Sequence, residues 1–142
     1  MTTDSLVTLA LSADDLDAVD AALTVLETRF AGLIALRVEE RCGLAKMGDR
    51  SEAFCRRTLA MLAQNPQVVP PGFGLAEAQA DLAAADALHP RLLRLRRLAG
   101  RAEDSELALG CDVMVAALQG HALLEAAGCD AESAPLCEAD AA

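Results

Sequence analysis

One stretch constrains this chain more than any other. From Leu107 to Ala127 the sequence reads as a helix with apolar or small residues on nearly every side. Leu107, Cys111, Met114, Leu118 and His121 recur three or four apart, and Leu109, Val113, Ala117, Gly120 and Leu124 form a second such stripe. Only Ser105, Asp112 and Gln119 mark a thin polar ridge. A helix apolar all round belongs in a core or in a bilayer. Asp112, Gln119 and His121 make the bilayer costly. The segment is therefore expected to be covered by protein, either its own chain or a second copy.

The composition points to an all-α fold. Ala and Leu dominate a chain that is 54% hydrophobic, while aromatic residues supply only 2%. Ala and Leu favour helices, and the residues that favour strands are scarce. At 142 residues a single helical domain over 1–127 is expected, followed by a tail over 128–142 rich in acidic and small residues. The net charge of −10 speaks against a broad contact with nucleic acid or anionic lipid. No basic, apolar leader and no unbroken apolar run of about 18 residues is present, so neither a signal peptide nor a membrane span is expected, and a cytoplasmic location is. The five cysteines, Cys42, Cys55, Cys111, Cys129 and Cys137, form no CxxC pair and read as reduced thiols.

Punctuation along the chain predicts a four-helix bundle. The first helix runs near 13–34, capped by Ser12 with Asp15, with Leu16, Val19, Leu23, Leu26, Phe30 and Leu33 as its seam. A short helical turn is read over Val38 to Leu44. The second helix runs near 50–64, capped by Asp49 with Glu52 and stopped by Asn65–Pro66. Gln67 to Gly74, with three turn-forming residues in Pro70–Pro71–Gly72, is a connector. The third helix runs near 75–102, kinked or stopped at Pro90, and the fourth near 104–127 with Gly128 after its end.

Three constellations have candidate functions. Leu107, Val113, Ala116, Ala117 and Gly120 form a candidate interface, smooth enough for another backbone to approach. Arg91, Arg94, Arg97 and Arg101 share a helical face, with Arg96 adjacent. That stripe could dock an acidic partner, but a solvated face or pairing with the acidic start of the first helix is the simpler explanation. Cys111, Met114 and His121 offer soft ligands for a metal or haem iron, against the plainer reading of core packing. No Glu-x-x-His pair supports a di-iron centre, and no serine has a nearby histidine. Lys46, Gly48, Arg50 and Ser51 at a helix entry lack a phosphate-loop pattern. No cofactor is expected.

The segments Lys46-Met-Gly-Asp-Arg-Ser51, Asn65-Pro66, Ala76-Glu-Ala-Gln-Ala-Asp81 and Leu107 to Leu118 together resemble a set of short, uncharacterised bacterial proteins. The resemblance covers most of the chain apart from the tail. It implies a bacterial helical protein and carries no activity, cofactor or catalytic residue. In that set an aromatic often stands at the position of His121 and a small polar residue at that of Cys111. The overall expectation is a non-enzymatic structural or interaction module that forms a homo-oligomer, with a further protein partner open. The alternative is a binder of a small ligand, metal or haem near Cys111, Met114 and His121.

Overall fold

The computed structural model of the chain describes residues 5–129. The fold is all-α: about three quarters of the described residues are helical, and none of them is in a strand. The helices are α1 (Ala13–Arg29), α2 (Val38–Gly43), α3 (Asp49–Gln64) and α4 (Leu75–Ala126), with a 3-10 turn at Pro66–Val68. The tail expected over 128–142 lies outside the described residues apart from Gly128 and Cys129.

α1 begins where its sequence says it should. Ser12 Oγ accepts from the Asp15 N–H at 3.1 Å, and the Asp15 carboxylate accepts from the Ser12 N–H at 3.1 Å. These bonds satisfy donors that a helix start leaves open. They also hold the Asp15 carboxyl below the usual carboxylate range, through the Ser12 side chain first and its backbone second. A lowered carboxyl stabilises the folded state above its unfolded value of about 3.9 and loses that contribution as pH falls through the folded value. Ser12→Ala is expected to remove about 1 kcal/mol of helix stability. It should also flatten the acid-induced loss of α1 helicity below about pH 4, as followed by amide chemical shifts. An acid limb unchanged in the variant would count against the assignment.

α1 stops at Arg29, earlier than the seam to Leu33 suggests. The Phe30 N–H still bonds the Leu26 carbonyl, but the Leu33 N–H turns back to Phe30 instead of continuing the ladder. At α3 the cap is Gly48, one residue before the expected Asp49. Ser51 Oγ accepts from the Gly48 N–H at 2.9 Å, so serine does the work assigned to Glu52. Glu52 is drawn instead to Arg56, one turn on, at 2.7 Å. α3 ends at Gln64 as Asn65–Pro66 requires, and the Asn65 side chain donates to the Met61 carbonyl at 2.8 Å.

The third and fourth helices of the sequence reading are one helix of 52 residues. Pro90 lies inside it and does not end it, and Gly100 to Ser105 contains no turn. Pro90 has no N–H for the Asp86 carbonyl, yet Leu, Ala and Arg on both sides favour helix. The Arg91 guanidinium donates to the neighbouring Ala87 carbonyl at 2.5 Å. Ser105 Oγ donates to the Arg101 carbonyl at 2.7 Å, which fits a serine into the helix interior. α4 closes at Gly128, whose φ of 73° suits glycine. The Gly128 N–H bonds the Glu125 carbonyl, and the Cys129 N–H bonds that of Leu124, a complete Schellman pair.

The described residues divide into two compact units, Ser12–Leu93 and residues 5–11 with 94–129. In the first, Arg56 ties α3 to α4 by bonding both oxygens of Asp86, one of them at 2.8 Å. This pairing holds the Asp86 carboxyl below its ordinary range and raises the already high guanidinium value. In the second, Asp112 of α4 accepts from Ser5 Oγ at 2.8 Å and from the Leu6 N–H at 3.2 Å.

Neither unit has a dry core. No described residue is buried, and Leu and Val side chains along α1 and α4 stand largely open.

Candidate functional site

The sides of the second half of α4 differ in exposure. Ser105, Ala108, Asp112 and Val115 are half-buried and recur three or four apart. This is the side to which Ser5 and Leu6 are tied through Asp112. The polar ridge is thus partly covered within this unit, at Ser105 and Asp112, while Gln119 stands exposed. The apolar stripes remain open: Leu107 is 74% exposed and Val113 69%. Among the described residues of its own unit, nothing covers this side of the helix.

The candidate interface residues all lie on α4, but not on one side of it: at about 100° per residue Leu107 stands opposite Ala116. Leu107, Val113, Ala116 and Ala117 are exposed, and Gly120 is half-buried. A Cβ built on Gly110 or on Gly120 meets no described atom within 4 Å, so the chain itself does not use the close approach that glycine permits. A shallow cleft runs along this part of α4, lined by Glu103, Glu106, Leu107, Gly110, Cys111 and Met114.

The soft-ligand constellation does not converge. Cys111 and Met114 line the cleft, but His121 does not. On one helix Cys111 and His121 stand about 15 Å apart along the axis. Metal–ligand bonds are near 2.0–2.3 Å, so no single ion reaches both. His121 is exposed, not buried, with its Nε2 3.4 Å from Glu125 Oε1 one turn on. Among the described residues no group of three His, Cys, Asp or Glu side chains is placed to hold a metal. The four described cysteines, Cys42, Cys55, Cys111 and Cys129, are free thiols.

Arg91, Arg94, Arg97 and Arg101 all stand exposed. The ion pairs among the described residues are Arg37–Glu40, Arg56–Glu52, Arg56–Asp86 and His121–Glu125, so none involves the stripe.

Sequence reasoning missed two polar partners, Asp86 and Asp112. Each engages a residue on another segment, 30 and 106 positions away. Their spacing in the sequence carries no signal for either contact. The bilayer span that the sequence argues against is allowed by the length and composition of α4. An 18-residue window of α4 has a mean hydropathy of 1.6 and is long and apolar enough for a span. Asp112, Gln119 and His121 interrupt that region and would have to be accommodated in lipid.

No family model matches the chain, and neither a curated protein nor a solved structure matches it.

Proposed function

We propose that this protein is a non-enzymatic helical module that works by self-association through the second half of α4. The observation that carries the reading is the open apolar surface of Leu107, Val113, Met114 and Leu118 on a regular helix. Apolar surface on this scale marks an interaction site. In this reading the four-helix bundle expected from the sequence is completed by helices of a second copy. The reading puts the chain in the cytoplasm, with no cofactor and no nucleic acid.

Light scattering at micromolar concentration tests it. The expected mass is at least twice the 14.8 kDa of one chain. A monomer over the whole concentration range would remove the proposal.

A further inference from the structure

The middle of α4 is locally basic in an acidic chain. From Ala87 to Ala102 the sequence has five arginines and no aspartate or glutamate, whereas the whole chain has a net charge of −10. Arg94, Arg97 and Arg101 belong to one of the two units and stand exposed. At about 100° per residue they fall on one side of the helix together with Leu98, which is 63% exposed. The half-buried Leu95 and Gly100 lie away from that side.

Among the described residues these charges are uncompensated. Arg94 and Arg97 have no carboxylate three or four residues to either side, and Arg101 has only Asp104. None of the three arginines is in an ion pair. Their neighbours on the helix surface are instead one another, three and four residues apart, where like charges repel. An anionic partner relieves that repulsion.

We infer that Arg94, Arg97 and Arg101 dock an acidic helical segment of another protein, with Leu98 as the apolar contact among them. The chemistry selects that class. Guanidinium forks match carboxylates in paired hydrogen bonds. On a partner helix, carboxylates three and four residues apart repeat at the same rise as the arginines, about 4.5 and 6 Å. Leu98 calls for an apolar side chain amid those carboxylates, which a polyphosphate backbone lacks. No aromatic residue flanks the stripe to stack on bases. The inference does not depend on self-association.

Fluorescence anisotropy near physiological ionic strength tests it. The probe is a labelled helical peptide of Glu, Ala and Leu, with glutamates alternately three and four apart along one side and a leucine among them. Changing all three arginines together (Arg94→Gln, Arg97→Gln, Arg101→Gln) is expected to weaken binding about tenfold or more. The same loss of charge at the exposed Arg29, Arg41 and Arg50 is the control and should leave the affinity close to that of the unchanged chain. Leu98→Gln should weaken binding of the peptide and leave that of single-stranded RNA as it was. Glutamine keeps the helix propensity and removes the repulsion. The triple stripe variant should therefore unfold at an equal or higher urea concentration than the unchanged chain. A lower midpoint would show that the stripe is neutralised within its own chain and would overturn the inference. No binding of the peptide, or equal losses in the stripe and control variants, would overturn it too. So would a peptide affinity indifferent to Leu98→Gln, which would reduce the contact to bulk charge. Tighter binding of single-stranded RNA than of the peptide would make nucleic acid the partner instead.

Discussion

Ala117→Glu is expected to convert the assembly to a monomer while leaving the protomer's helix content unchanged. Ala117 is exposed in the single chain, so the new side chain meets solvent when the protein is alone. Glutamate is nearly as good a helix former as alanine, and α4 needs no repacking to accept it. In the proposed associated state the same side chain enters the apolar contact beside Val113 and Met114. An uncompensated charge in such a place costs about 3 kcal/mol or more, which is roughly a hundredfold or more in Kd. The control is Ala60→Glu, at an exposed position of α3, which should leave the mass unaltered. Equal masses for Ala117→Glu and the unchanged protein, across a dilution series, would show that this side of α4 stays wet in the assembly.

The features legible in the sequence are those closed by neighbours in the chain. Ser12 with Asp15, Asn65 before Pro66, and Gly128 after α4 each settle a helix end through bonds spanning three to five residues. Their residue types permit few other local solutions. The boundary at Gly48 misleads for the same local reason. Asp49 and Glu52 have the right spacing for a cap, but Ser51 reaches the Gly48 N–H and Arg56 engages Glu52. Contacts between distant segments leave no trace in the sequence, as Asp112 with Leu6 and Arg56 with Asp86 show. At the candidate site, the helical stripes of α4 can be read from spacing alone. Which side the chain covers cannot, because that depends on where residues 5–11 run, and nothing local to α4 encodes their path. The place of His121 in an apolar stripe suggests a core, and the structure leaves that stripe open.

Pro90→Ala is expected to stabilise the chain, the reverse of the usual effect of changing a residue inside a helix. A proline in a helix interior costs about 3 kcal/mol relative to alanine, through the missing N–H and the crowding of the carbonyl one turn back. Here that carbonyl belongs to Asp86, whose side chain is already committed to Arg56. Alanine supplies the missing donor to the Asp86 carbonyl without disturbing the carboxylate. Pro90 is exposed, so no packed neighbour loses contact when the ring is removed. The Arg91 guanidinium, which bonds the Ala87 carbonyl, can remain where it is. The gain should be about 2 kcal/mol, read as a higher urea midpoint at unchanged slope. Slower amide exchange across residues 86–94 should accompany it, since opening of the helix at its weakest turn then requires breaking one more bond. The physical basis is that α4 already continues through Pro90, so the substitution removes a penalty without changing the path of the chain. A midpoint that falls would mean that the bend imposed by the ring is needed to bring Asp86 to Arg56. In that case Asp86→Asn and Pro90→Ala should show coupled losses in a double-mutant cycle, whereas independent sites would add.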